Sequence, residues 1–287
     1  MTTPESTTPV RILIINPNTS QHMTDALQPV VDSLGFPSVQ YTFFTSPSPG
    51  IPSINSPADA AESAKICLPH LIPLLAHHDG FLVACYSQHP LVSRLKNECA
   101  KLKREATVGG GGVRKYVTGI FEASVLASLA LIDADTTDVE EVAAGEGEGT
   151  GSPGSTFGIV STGKVWEEAL RLAVEDFIGV PTTTRSRFVG CETTGLNASE
   201  LHDLDPEEVR AKMMDATKRL LKRGTTRAQS SRVQAICLGC AGMVGLDEAV
   251  RTACVEVLGE ERGKGVYIVD GVKAGVGQLY GLARGGF

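Results

Sequence analysis

The chain has 287 residues, with 26 Lys plus Arg against 33 Asp plus Glu (formal charge −7), and 42% apolar against 21% charged residues. This is a globular balance, long enough for one large domain or two small ones, and a net acidic chain lacks the clustered positive charge that nucleic acid demands of a partner. No apolar stretch reaches the ~18 to 20 residues that span a bilayer, and the opening MTTPESTTPV has neither the basic nor the apolar region of a signal peptide.

Residues 1–9 are polar and Pro/Thr-rich and are expected to form a loose leader. RILIIN then reads as a buried strand ended by the turn Asn16-Pro17-Asn18. Similar apolar runs recur at Phe81–Cys85, Tyr116–Phe121, Phe157–Thr162, Ala235–Cys240 and Val266–Asp270. Continuous Val/Ile/Leu runs fit strands covered on both faces, as in a parallel sheet. Helical spacing is found between them, over Ala58–Leu75, Leu91–Leu102, Trp166–Phe177, Pro206–Leu221 and Leu246–Leu258. The fourth helix opens with Asp205-Pro206-Glu207-Glu208, a cap followed by Pro and first-turn acids. Strands alternating with helices predict an α/β fold. Two Gly-rich segments interrupt the pattern, TVGGGGVRK at 107–115 and a Gly/Glu/Ser/Thr-rich stretch at about 137–156. The first leads into a strand rather than a helix, the wrong order for a phosphate loop, so both are read as surface insertions.

The seven cysteines are an odd number without an export signal, which predicts reduced thiols in the cytoplasm. Cys67, Cys99 and Cys254 fall at apolar helix positions and read as core. Cys191 is ambiguous and Cys237 lies in mid-strand. Cys85 and Cys240 differ, because each closes a strand and is followed by a short turn and a helix. Ligands collect at the carboxyl ends of parallel strands, and backbone N–H groups and helix dipoles there favour a thiolate. Cys237 and Cys240 have redox or zinc spacing, but residues three apart on a strand point to opposite faces, and no second ligand pair accompanies them. No metal and no cofactor is expected.

These residues resemble a known family. INPNTSQHMT (Ile15–Thr24), DGFLVAC (Asp79–Cys85) and LGCAGMVGLDEAV (Leu238–Val250) are similar to segments of hydantoin racemases in the aspartate/glutamate racemase superfamily. GIFEASVLAS (Gly119–Ser128), GIVSTGKVW (Gly158–Trp166) and VDGVKAGV (Val269–Val276) follow in the family's order. The resemblance implies two pseudo-symmetric lobes, each a mainly parallel sheet flanked by helices, with an active site in the inter-lobe cleft. It assigns residues 10–121 plus 266–287 to the first lobe and 122–265 to the second. By the same resemblance Cys85 and Cys240 match the acid/base thiols. Asn16, Asn18, Ser87, Thr162 and the turn Ala241-Gly242 match positions that hold substrate.

Two thiols can invert a carbon centre, one taking a proton from one face and the other returning one to the opposite face. A thiol titrates near 8.5, and helix ends and cations are expected to bring it closer to neutrality, where acid–base work is most effective. Donors from the matched loops would stabilise the enolate. Amino-acid racemases of the superfamily carry Thr-His after the second cysteine, where this chain has Ala241-Gly242. A bare turn suits the more acidic ring carbon of a hydantoin or of allantoin, so the expected partner is a small cyclic ureide or related substrate. Whether the chain also forms a homo-oligomer stays open. The chain departs from the family at Tyr86-Ser87-Gln88-His89, where His89 either meets substrate or caps the next helix. Glu122 either accepts a ureide N–H or caps backbone amides, and Trp166 reads as a core anchor. The alternatives are a decarboxylase or cis–trans isomerase on the same scaffold, and a non-catalytic binding protein.

Overall fold

The computed structural model describes residues 8–107, 114–133, 154–179, 186–226 and 232–287. Most of the leader, most of the first Gly-rich segment and nearly all of the second lie outside the described residues. The chain divides into two compact units.

The first unit comprises Met1–Ala123, Cys240–Val244 and Gly271–Phe287. Its elements run β1 (Val10–Asn16), α1 (Gln21–Asp32), β2 (Val39–Thr45), α2 (Pro57–Leu71), β3 (Gly80–Val83), α3 (Pro90–Thr107), β4 (Tyr116–Gly119) and α4 (Ile120–Leu131). The boundary between units passes through α4, after Ala123. The four strands are all parallel, in the order β2-β1-β3-β4. Side chains alternate across a strand. Leu13, Ile15, Phe81 and Val83 therefore point to one face, where they pack with Ala64, Cys67 and Leu71 of α2 and Leu91, Leu95 and Cys99 of α3. Leu82 and Gly80 meet the C-terminal helix Gly271–Gly285 on the other face. That helix lies close because Gly275 faces Leu82, and a Cβ at Gly275 would collide with the leucine. With both faces covered, β1 and β3 had to be apolar throughout. Helix starts are capped where the sequence offers a hydroxyl. Ser20 accepts from the Met23 N–H at 3.4 Å, and Ser56 from the Asp59 N–H at 3.2 Å with Pro57 at the first helical position.

The second unit comprises Ser124–Gly239 and Gly245–Asp270. It contains β5 (Ser155–Ser161), α5 (Val165–Ile178), β6 (Phe188–Thr193), the four-residue α6 (Glu200–Asp203), α7 (Pro206–Thr226), β7 (Arg232–Gly239), α8 (Asp247–Leu258), α9 (Glu260–Lys264) and β8 (Tyr267–Asp270). The parallel order β6-β5-β7-β8 repeats the order of the first sheet. Asp205 caps α7 as expected, accepting from Glu207 N–H at 2.9 Å and Glu208 N–H at 3.4 Å, and Trp166 is buried at the start of α5.

Several boundaries differ from those expected. Val266–Asp270 was assigned to the first lobe, but β8 pairs with β7 from Ala235↔Tyr267 to Leu238↔Asp270. The helices α8 and α9 carry the chain back to the open edge of β7, where a parallel strand can add its hydrogen bonds. The return to the first unit therefore begins at Gly271, and the short segment Cys240–Val244 groups with that unit as well. Tyr116–Phe121 is a strand only as far as Gly119, and Ile120 already starts a helix. Ser155 and Thr156, expected in the second insertion, open β5. Among the described residues no helix is long and apolar enough to cross a membrane.

Candidate active site

The carboxyl edge of the first sheet brings three loops together. Ile15 pairs with Val83, and Val83 with Gly119, so the residues that follow leave neighbouring strands side by side. From β1, the Asn16 side-chain amide donates to Asn18 Oδ1, Ser20 O and Thr24 Oγ1, each at 3.0 Å. Asn16 Oδ1 accepts from the Asn18 N–H at 3.2 Å, and Asn18 Oδ1 accepts from the Ser20 N–H at 2.9 Å. Both asparagines are buried and hold the turn into α1. The Asn16 amide is thus committed within its own loop, while Asn18 Nδ2 meets the Met23 sulfur at 3.3 Å.

From β3, the chain makes two tight turns, with Ser87 N–H donating to Cys85 O at 3.0 Å and His89 N–H to Ser87 O at 2.7 Å. They fold the Ser87 hydroxyl back to 3.6 Å from Cys85 Sγ. Tyr86 is buried edge-on against Phe121, with ring centroids 5.8 Å apart. His89 is buried, and its Nδ1 accepts from the Leu91 N–H at 3.2 Å, so it caps the first turn of α3. Nε2 then carries the proton, and among the described residues it has no partner. Burial, with the charge of Arg94 beside it, depresses the imidazole to about 4, so it is neutral.

The second thiol comes from the turn after β7. Cys240 Sγ accepts from the Gly242 N–H at 3.4 Å, and the turn Ala241–Met243 rests against α1. Cys85 and Cys240 thus belong to one compact unit. Of the seven cysteines they are the two that are partly exposed; the other five are buried. Cys237 is buried in β7 with its sulfur 3.1 Å from Ser128 Oγ, a structural position.

The thiols do not titrate near neutrality. Desolvation pushes Cys85 up to about 12 and Cys240 up to about 11. The Ser87 hydroxyl works against the rise at Cys85, and the Gly242 N–H works against it at Cys240. The expected shift toward neutrality does not occur: among the described residues no cation acts on either thiol, and the loss of water outweighs the local donors. Negative charge at Cys240 and at Glu122 raises Cys85 further, which places both groups within electrostatic reach of it.

Glu122 was singled out from the sequence but not included among the substrate-binding positions. It occupies the first turn of α4 and is 9% exposed, and its Oε2 has no hydrogen-bond partner. Thr162 belongs to the second unit, in the turn after β5, where its carbonyl accepts from the Gly195 N–H at 2.9 Å. Among the described residues no group of three or more His, Cys, Asp or Glu could hold a metal ion.

A family model described as Asp/Glu/Hydantoin racemase matches residues 12–279. An uncharacterized protein of Schizosaccharomyces pombe is 32% identical over 276 residues, covering 96% of this chain and 92% of its own. The allantoin racemase from Klebsiella pneumoniae superposes with a TM-score of 0.68 at 21% identity, covering 97% of this chain and 89% of its own. That from Pseudomonas fluorescens superposes with a TM-score of 0.64 at 21% identity, covering 97% and 92%. At that level of identity the two structures establish the shared fold.

Proposed function

The chain belongs to the Asp/Glu/hydantoin racemase family, and on that premise we propose that it is a cofactor-independent racemase of 5-substituted hydantoins or allantoin, with Cys85 and Cys240 as the two acid/base groups. One observation carries the reading. The two partly exposed cysteines out of seven sit in one unit, at the ends of β3 and β7, and are close enough for the charge of one to raise the other.

In this mechanism one thiolate removes the proton from the ring carbon and becomes a thiol. The electron pair moves into the adjacent carbonyl as an enolate, and the opposite thiol delivers its proton to the other face. One proton enters and one leaves, so the two sulfurs exchange roles with each inversion. The electrostatic coupling suits this cycle. Charge at Cys240 opposes ionisation of Cys85, so loss of one proton makes loss of the second harder. The pair therefore passes through a state with one thiolate and one thiol, the state a two-base racemase requires. In the turn after Cys240 the Gly242 N–H is held by Cys240 Sγ and the Met243 N–H by Cys240 O, so the donors for the enolate are the Ala241 N–H and, beside Cys85, the Ser87 hydroxyl. A pair of working thiols needs reducing surroundings, which supports the cytoplasm as its location.

The test is proton exchange in D₂O with 5-substituted hydantoins, allantoin, aspartate and glutamate, read by NMR together with optical rotation. Deuterium enters a ureide at the inverted carbon as rotation is lost. Absence of wash-in with all four substrates refutes the proposal, and loss of a carboxyl group from an arylmalonate would replace it with the decarboxylase reading.

A further inference from the structure

We propose that Glu122 is the substrate-positioning residue of this site, accepting a ring N–H with its free carboxylate oxygen and so selecting a neutral ureide over an anionic amino acid. The inference rests on the racemase reading above and names the group that would choose its substrate.

The placement follows from the strand ends. Gly119, the last residue of β4, pairs with Val83 of β3, and Cys85 lies two residues beyond Val83. The chain turns at once into α4, so its first turn carries Glu122 back over Gly119. A Cβ at residue 119 would run into Glu122 Oε2, and the glycine is what leaves room for the carboxylate. The carboxylate thus stands at the carboxyl edge of the sheet, beside the strand that delivers Cys85.

Its bonding is incomplete. A buried carboxylate oxygen without a donor loses water and gains nothing in return, which is why such groups are rarely left unpaired. Burial raises the Glu122 carboxyl above its usual range, while the backbone amides of Glu122 and Gly119 and the charge of Lys96 on α3 work against that rise and favour its charged form. Among the described residues Oε2, the oxygen nearest Gly119, has no hydrogen-bond partner. A capping role for Glu122 therefore leaves Oε2 open to a further donor. An ionised carboxylate only accepts, so the missing partner is a donor. A ring N–H of a cyclic ureide meets that need without bringing charge. The carboxylates of aspartate or glutamate would bring negative charge toward a carboxylate already short of water.

The same contact links binding to chemistry. Burial does most to hold the proton on Cys85; beyond it the groups acting there are the Ser87 hydroxyl, which favours the thiolate, and the negative charges of Cys240 and Glu122, which oppose it. An N–H donated to Glu122 draws its charge away from Cys85 and makes the thiol easier to ionise when substrate is present.

Glu122→Gln tests this in two ways, with far-UV circular dichroism to establish that the variant folds. In the absence of substrate, reaction of Cys85 with dithiodipyridine, assigned by mass spectrometry, should show its pH midpoint moved downward, because the neighbouring negative charge is gone. With substrate, KM for the ureide should rise about ten-fold, more than kcat falls, and the preference for ureide over aspartate should shrink. The fall in the pH midpoint reports only the nearby charge, whereas the rise in KM beyond the fall in kcat and the reduced ureide preference are what a merely structural glutamate would not give. Should Glu122→Gln fail to fold, Glu122→Asp keeps the charge but shortens the reach, and is expected to raise KM as well. Wild-type KM and an unmoved Cys85 profile, in a variant that still racemises, overturn the role of Glu122 and leave the racemase reading standing. Absence of turnover in the wild type overturns the racemase reading instead, and the labelling arm still decides whether Glu122 governs Cys85.

Discussion

The raised thiol pKa values make a quantitative prediction about reactivity. Cys240 stands at about 11 against an ordinary 9.0, a difference of two units. At pH 8 its thiolate is therefore about a hundred-fold scarcer than that of an unperturbed cysteine. Basicity recovers part of the loss, because nucleophilicity rises with pKa with a slope of about 0.4–0.5, or roughly six- to ten-fold over two units. Cys240 should thus react with dithiodipyridine about ten-fold more slowly than a small exposed thiol. Cys85, pushed up to about 12, loses roughly a thousand-fold in thiolate and regains roughly twenty-fold, so it should react about fifty-fold more slowly. Both rates should climb about ten-fold per pH unit from pH 7 to pH 10. Cys240→Ser should lower the midpoint of Cys85, since a charge that opposed its ionisation has been removed. Stopped-flow absorbance gives the rates, and mass spectrometry assigns them to each cysteine. A plateau below pH 9 at either sulfur, or labelling faster than the free thiol, refutes the argument that burial governs these groups.

Three further outcomes are expected. Cys85→Ser and Cys240→Ser should each lower racemisation at least about a hundred-fold, the usual contribution of one acid–base group, while circular dichroism stays unchanged; full activity in either variant rules out a two-thiol mechanism. His89 is held neutral in the fold at about 4, below its ordinary 6.5, so its contribution is complete above 6.5 and is lost as pH falls toward 4. Two and a half units amount to roughly 3 kcal/mol. Urea unfolding at pH 7 and pH 4.5 should show this fall, and His89→Gln should flatten it; an equal fall in the variant would mean that other groups cause it. Gly239→Ala would set a Cβ 2.7 Å from the backbone oxygen of Val160 and 2.9 Å from Ser161 Cα, neither of which can swing aside. A cost of about 1–3 kcal/mol should lower the melting temperature by several degrees in calorimetry, and an unchanged melting temperature would show that the strand end yields.

What could be read from the sequence follows from which strands are covered twice. β1, β3, β5 and β7 are central, so their composition announces them. β2 is an edge strand, VQYTFFT, with polar residues alternating among half-exposed ones, so it has no continuous apolar run to announce it. β6 is buried, yet it interrupts its apolar run with Gly190 at a φ of 129° and with Glu192, which pairs with Arg219 and Arg223. α1 begins with the polar Gln21 and His22 and contains Pro29. β4 runs into α4 without a connecting residue, so one apolar stretch covered two elements. The thiols were legible because a cysteine closing an apolar strand is a local pattern. Their pKa values were not, because desolvation depends on how the folded chain packs around each sulfur. Glu122 was visible as a carboxylate, but its unpaired oxygen depends on Gly119 and on the packing of a neighbouring strand.

High thiol pKa values are not in conflict with base catalysis; they change where its driving force comes from. A carbon acid gives up its proton reluctantly, and a sulfur that titrates at about 11 or 12 is a stronger base than one near neutrality. The cost is a small standing population of thiolate. That cost falls only if ionisation is coupled to the presence of substrate, and the groups that could provide the coupling are those that hold the proton on Cys85. Desolvation is fixed by the fold, and Cys240 must carry charge during the cycle. The remaining charge is that of Glu122, which a neutral donor can offset on binding and an amino-acid carboxylate would aggravate. The same buried carboxylate that weakens Cys85 at rest therefore makes its activation conditional on a ligand bearing an N–H.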